Sequence, residues 1–248
     1  MKRIMSYVAM FVAAAALLCS PSAATTTSVA TSTTAATFAS PRDAWCVALA
    51  GGSPTVDALG DSLTLGDSVS DLSRRSTALL GEALRSDGAP NAQVWIGGAI
   101  GGSATADYVA GAKYSGHIEF TVNHPSVVLM GWGTNDWAGN IPVAQFSVQY
   151  QQIIDRVHTL SPDSLIVLVH MPWIYNTSLT STRGSQLPYR DAIRALATAN
   201  GAVYLAEEWG FRGDDLNQED MPDRIHKNAN GQNVQFVMML ATLRALCF

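Results

Sequence analysis

The stretch Val56-Asp57-Ala58-Leu59-Gly60-Asp61-Ser62-Leu63-Thr64 decides how the chain reads, because an apolar run stops at a glycine and passes directly to an acid and a serine. Thr55 to Leu59 has the length and composition of a strand, and Gly60 permits a tight turn. Ser62 stands where a following helix would start. A serine in that place is ordinarily a helix cap. Whether it is more depends on what the other strands deliver beside it.

Working outward, apolar runs alternate with segments of helical period. Ala92–Ile96, Ser126–Met130, Ser164–His170 and Ala202–Ala206 read as four further strands. Ser126–Met130 is nearly all apolar, as a strand buried on both faces should be. A helix is expected between Ser70 and Arg85, with Leu72, Leu79, Leu80, Ala83 and Leu84 mostly on one side. Another begins at Pro142 and carries Phe146, Tyr150, Ile153, Ile154, Val157 and Leu160 at spacings of three and four. A third runs from Leu187 to Asn200 and ends at Gly201. The last is expected from Asn230 to Leu246, covering the core with Val234, Val237, Met238, Leu240 and Leu243. Five strands with intervening helices predict an α/β fold, a three-layer α/β/α sandwich around a five-stranded parallel sheet.

The first forty residues lie apart from this pattern. Lys2 and Arg3 precede an uncharged run from Ile4 to Leu18, and Ser20-Pro21-Ser22-Ala23-Ala24 offers small residues for cleavage. That run is shorter than the roughly 20 residues that span a bilayer. The bulky Leu17-Leu18 before Cys19 disfavours lipid modification there. Residues 1–24 therefore read as a secretory signal, 25–40 as a disordered Thr/Ala/Ser-rich leader, and 41–248 as one folded domain. Without the signal, 13 basic residues face 20 acidic ones. That balance, with 14% charged residues overall, argues against a nucleic-acid groove. Cys46 and Cys247 remain in the folded part, and in an exported protein they are expected to pair and staple its two ends.

In open parallel sheets ligands bind beyond the carboxyl ends of the strands. The first strand ends in Gly60-Asp61-Ser62. The second ends in Gly97-Gly98-Ala99-Ile100-Gly101-Gly102, the third in Gly131-Trp132-Gly133-Thr134-Asn135-Asp136, and the fifth is followed by Asp223-Arg224-Ile225-His226. A serine, flexible backbone amides, a primary amide and an acid with an imidazole are the parts needed for acyl transfer. Of the five histidines, His170 reads as a core residue, His158 as the polar side of a helix, and His117 and His124 have no matching acid nearby. His226 has Asp223 three residues before it, a spacing that lets a carboxylate orient the ring nitrogen facing away from the serine. Asp214, Asp215 and Asp220 are alternative acids. The amides of Ser62, Gly101 or Gly102, and Asn135 are the candidate oxyanion donors. The glycine cluster lacks dinucleotide spacing, and no Gly-x-Ser-x-Gly elbow occurs.

Taken in order, these blocks resemble those of the SGNH hydrolases, also called the GDSL esterases and lipases. Gly60-Asp61-Ser62-Leu63 is similar to the first block and Gly98-x-x-Gly101 to the second. Gly133-Thr134-Asn135-Asp136 is similar to the third, and Asp223-x-x-His226, followed by Asn228 and Gly231, to the last. Ile96 departs from the asparagine often found before the second block, and Lys227 from the proline often found after the histidine.

The resemblance implies a flavodoxin-like fold and a secreted, cofactor-free serine esterase, with no metal. Ser62 would be the nucleophile, His226 the base and Asp223 its orienting acid, with Ser62, Gly101 and Asn135 forming the oxyanion hole. The expected substrates are small-molecule, lipid or glycan acyl esters, handled by a monomer without a permanent membrane anchor. A base must be neutral to act, so activity is expected to fall as pH drops through roughly 6 to 7. Trp132, Trp137 and Trp173 are expected to line an apolar or sugar-stacking wall. Two rivals use the same fold: an acyltransferase with the same triad, and a noncatalytic wall- or carbohydrate-binding module.

Overall fold

A computed structural model describes residues 38–109, 124–206 and 220–248. The signal and most of the leader, together with His117, Asp214 and Asp215, lie outside the described residues. The sheet contains β1 (Thr55–Gly60), β2 (Gln93–Ala99), β3 (Val127–Gly131), β4 (Leu165–Val169) and β5 (Val203–Leu205). Its order is β2-β1-β3-β4-β5 with every pairing parallel, so the chain starts in the interior and winds outward both ways. The reversal lies between β1 and its two neighbours, and there the carboxyl ends open a crevice.

Helices cover both faces. On one lie α1 (Pro41–Ala50), α3 (Ser76–Ser86) and the last helix, α8 (Ala229–Ala245). Trp45, Leu80, Leu84, Met239 and Leu243 pack there on Val56, Ala58, Leu129 and Val167. On the other, α5 (Val143–Leu160) and α7 (Leu187–Ala199) pack Phe146, Ile153, Ile193 and Leu196 onto Leu59, Val128, Met130 and Leu168. β3 and β4 are buried along their whole length, which explains their unbroken apolar sequences. Three further short α-helices are α2 (Ser62–Leu65), α4 (Thr134–Ala138) and α6 (Thr177–Arg183).

Several local expectations are corrected. β2 extends through Gly97 and Gly98 to Ala99, because pairing with β1 supplies the hydrogen bonds that two glycines would not secure alone. The helix expected between Ser70 and Arg85 runs from Ser76 to Ser86, but Leu72, expected on its buried side, sits in a 3₁₀ turn and is exposed. α8 buries Gln232, Gln235, Met239 and Leu243, while Val237 is half exposed. The cause is polar. Gln232 Oε1 accepts from the Ser76 N–H at 2.9 Å, and Gln235 Oε1 accepts from Ser76 Oγ at 3.3 Å. α3 has no side-chain cap of its own, so α8 rotates two glutamines inward to satisfy its first turn.

α1 has no counterpart among the expected helices. Its start is nonetheless written as Ser40, which caps the Asp43 N–H, followed by Pro41 at the first helical position. Cys46 of α1 is disulfide-bonded to Cys247, just past α8. No helix among the described residues is long and apolar enough to cross a membrane.

Candidate active site

The serine is presented by a turn that only glycine can make. A Cβ on Gly60 would collide with Thr64 Oγ1 and the Gly131 carbonyl, so β1 can bend toward β3 there without a side chain in the way. Asp61 then caps α2, its Oδ1 accepting from the Leu63 N–H at 2.9 Å. Ser62 is consequently the first helical residue, with its N–H among the donors that a helix start leaves unbonded.

Ser62 Oγ lies 2.9 Å from His226 Nε2, and His226 Nδ1 lies 2.7 Å from Asp223 Oδ2. The acid and base sit in one tight turn just before α8. Asp223 Oδ1 accepts from the N–H groups of Ile225 at 2.9 Å and His226 at 2.6 Å. Arg224 takes a left-handed conformation at φ 64°, which closes the turn between them. Partial burial pushes the Asp223 carboxyl up, but hydrogen bonds from His226 and Ile225 outweigh it and hold the carboxyl below its ordinary value. Asp220, one of the alternative acids, is occupied elsewhere: it accepts from Asn230 Nδ2 at 2.6 Å and its carbonyl accepts from the Asn228 N–H. The ring is therefore fixed as acceptor toward Ser62 and donor toward Asp223.

The remaining strand ends are laced to the serine turn. The Ile100 N–H donates to the Gly60 carbonyl at 2.9 Å, which sets Gly101 beside the turn. Ser103 Oγ and the Tyr108 hydroxyl also donate to that carbonyl. Asn135 Nδ2 donates to the Ser103 carbonyl at 2.9 Å, which orients the amide and leaves it a second N–H. Asp136, wholly buried, accepts from the Thr105 N–H and hydroxyl and so ties β3's loop to β2's. Burial drives the Asp136 carboxyl up, and the bonds from Thr105 oppose this. A Cβ on Gly101 would strike the Asp67 carboxylate, whereas Gly102 has open space around it; the close approach belongs to Gly101.

Residues 58–234 match the GDSL-like Lipase/Acylhydrolase family. The chain belongs to that family. It is thus a carboxylic ester hydrolase of the SGNH type. Solved structures share the fold at low identity. The acetylxylan esterase Axe2 from Geobacillus stearothermophilus is 14% identical, with 77% of this chain and 94% of that one covered at a TM-score of 0.62. A lipolytic protein of the G-D-S-L family from Desulfitobacterium hafniense DCB-2 is 16% identical, with coverage of 76% and 98% and a TM-score of 0.59. A two-domain esterase (CEX) active on acetylated mannans is 21% identical, with coverage of 81% and 51% and a TM-score of 0.62. No curated protein matches the sequence.

Two of the three expected wall residues are corrected by burial. Trp132 and Trp137 are 2% and 0% exposed and belong to the core under α5. Trp132 packs edge-on against Tyr108 and Tyr150, and Trp137 Nε1 donates to the Gly184 carbonyl. Aromatics flanking a GDSL block look alike in sequence whether they serve core or pocket. Trp173 remains half-buried, its ring under the Arg190 guanidinium at 4.1 Å. His170 is the hydrogen-bonded core histidine expected, held between Tyr204 and Arg190. Burial first, and then the Arg190, Arg194 and Lys227 charges, lower its pKa to about 3, so it stays neutral.

Proposed function

We propose that the chain is a secreted serine esterase that cleaves small or carbohydrate-linked acyl esters through an acyl-enzyme. The observation that carries this reading is the continuous relay from Ser62 Oγ through His226 to Asp223, at 2.9 and 2.7 Å. Ser62 attacks the ester carbonyl while His226 Nε2 takes its proton. The N–H groups of Ser62 and Gly101 and the free N–H of Asn135 receive the oxyanion. As the tetrahedral intermediate collapses, His226 returns the proton to the leaving alcohol. Water, deprotonated by the same ring, then releases the acid and restores Ser62. Asp223 stabilises the imidazolium formed at each step.

Structural neighbours that act on acetylated xylan and mannan support a sugar-linked acetyl ester as the first substrate to try. The paired Cys46 and Cys247 fit an exported protein, in keeping with a secretory signal over residues 1–24. The test is hydrolysis of a panel of acyl esters, from acetyl to long-chain and from sugar to lipid alcohols, by wild type and Ser62→Ala. Turnover of acetyl esters by wild type alone is expected. Equal turnover by both proteins would remove Ser62 from the chemistry.

A further inference from the structure

A further charged group stands at the site, and the Ser62–His226–Asp223 relay does not use it. α2 ends after a single turn at Gly66, which takes a left-handed φ of 74°. The chain reverses there, and the N–H groups of Gly66 and Asp67 both donate to the Ser62 carbonyl, at 2.9 and 3.2 Å. Asp67 is thus tied by its backbone to the nucleophile's own residue.

Its side chain reaches Gly101. A Cβ on Gly101 would stand 2.4 Å from Asp67 Oδ2, so the carboxylate occupies the space that any side chain at 101 would fill. Asp67 therefore bridges the two residues whose backbone N–H groups are the candidate oxyanion donors. The carboxylate is exposed, and no ion pair or side-chain hydrogen bond among the described residues holds it. Arg75 comes close, since a Cβ on Gly66 would stand 3.0 Å from its Cγ, but its Nε donates to the Val69 carbonyl at 3.3 Å.

An unpaired carboxylate in this place opposes the reaction of a neutral ester, because the tetrahedral intermediate develops negative charge at the same donors. Like unit charges some 4 Å apart in water change a rate by about 5-fold, and more where water is excluded. A positive charge on the substrate beside Gly101 cancels that penalty. A negative charge there deepens it. The excess of 20 acidic over 13 basic residues after the signal adds a field of the same sign.

We propose that Asp67 is a charge filter on the oxyanion site, which selects acyl esters with a positive charge near the scissile carbonyl over their neutral isosteres, and both over anionic ones. The class it fits is esters of amino-bearing acids, alcohols or sugars, and the class it rejects is half-esters of dicarboxylic acids. The filter rests on the reading of Ser62 as nucleophile and Gly101 as oxyanion donor. Asp67 is a specificity residue, since no proton passes through it.

The test compares wild type, Asp67→Asn and Asp67→Lys on two series of matched esters. In the first, acetate is joined to choline, to its uncharged isostere 3,3-dimethylbutanol, or to 3-hydroxypropanoate. In the second, ethanol is joined to 4-(trimethylammonio)butanoate, to its isostere 5,5-dimethylhexanoate, or to one carboxyl of glutarate. The two series place the charge on either side of the scissile bond. Each ester is compared across the three proteins, so differences in intrinsic reactivity cancel. The Asp67 side chain makes no bond that the fold needs, and both variants should unfold with wild type.

In at least one series, Asp67→Asn should lower the cationic-to-anionic ratio of kcat/KM by about 10- to 100-fold, and Asp67→Lys should invert the preference. Neutral esters should gain up to about 5-fold in kcat with Asp67→Asn. Raising salt from about 20 to about 500 mM should shrink the wild-type preference, as screening requires. A ratio that stays at its wild-type value in both series, or a loss shared equally by all three charge types, would overturn the filter. Labelling of Ser62 by a neutral fluorophosphonate is measured beside these rates. A wild type that is not labelled there would instead remove the esterase reading, and the filter with it.

Discussion

Two acids stand beside Ser62, Asp223 through His226 and Asp61 as the cap of its helix, and they differ in almost every physical respect. Asp223 and His226 are open to solvent, with side chains 53% and 29% exposed, and their order comes from hydrogen bonds inside a turn of four residues. Asp61 and Lys227 are enclosed, and their order comes from the core around them. The exposed pair can hand a proton on and take it back, which a base requires. The enclosed groups are shielded from water and hold their place, which a scaffold requires. Asp57, in β1 before the Ser62 turn, is the extreme of the enclosed kind: it is 1% exposed, and no other side chain hydrogen-bonds its carboxylate.

The sharpest way to break the comparison is to delete the exposed relay. Ser62→Ala and His226→Ala should each lower kcat by about 10⁴- to 10⁶-fold, and the double variant should be hardly worse than either, since they act as a unit. Steady-state kinetics on an acetyl ester checks this. Additive losses would mean that the two residues do not share one step.

The enclosed side is anchored by the disulfide, which joins α1 to the end of the helix that begins just after His226 and Lys227. Replacing both Cys46 and Cys247 with serine should cost up to about 5 kcal/mol in denaturant unfolding, given the long loop it closes. Activity of the folded fraction should be unchanged, because the bond lies far from the strand ends. A smaller loss is expected at the oxyanion site. Asn135→Ala should reduce kcat by about 10²- to 10³-fold with KM nearly constant, read from the same assay.

The last prediction separates the two kinds of acid by pH. Burial raises the Asp57 carboxyl to about 6, against a smaller pull from the Ala58 N–H. A raised carboxyl stabilises the fold at low pH and loses that contribution as pH rises through its folded value. Asp223 is lowered, so its contribution has the opposite sign and is lost on acidification. Asp57→Asn should therefore gain stability relative to wild type between pH 4 and pH 8, by on the order of 3 kcal/mol. Urea unfolding at the two pH values reads the difference, and a gap that does not widen with pH would place Asp57 beside an unseen partner.

What could be read from residues alone follows the same division. The parts of the site that lie at strand ends, Ser62, Asn135, Asp223 and His226, announce themselves by residue type and order, because chemistry requires those atoms and few others. The all-apolar β3 and β4 were equally plain. The enclosed polar groups were not. Nothing in the pattern of α8 shows that Gln232 and Gln235 turn inward, since their reason for doing so is the uncapped start of α3 more than a hundred residues earlier. Lys227 follows His226 in a loop, and nothing beside it in the sequence shows that it is 1% exposed. Trp132 and Trp137 were read as walls because burial depends on which face α5 covers, a tertiary fact.

The most direct measurement on the central relay is intact-mass analysis of a fluorophosphonate adduct, mapped by peptide digestion, on wild type, Ser62→Ala and His226→Ala. One adduct per chain on Ser62 in wild type, none on Ser62→Ala, and slow labelling of His226→Ala is the expected result. An adduct that forms equally on wild type and Ser62→Ala would contradict Ser62 as the nucleophile.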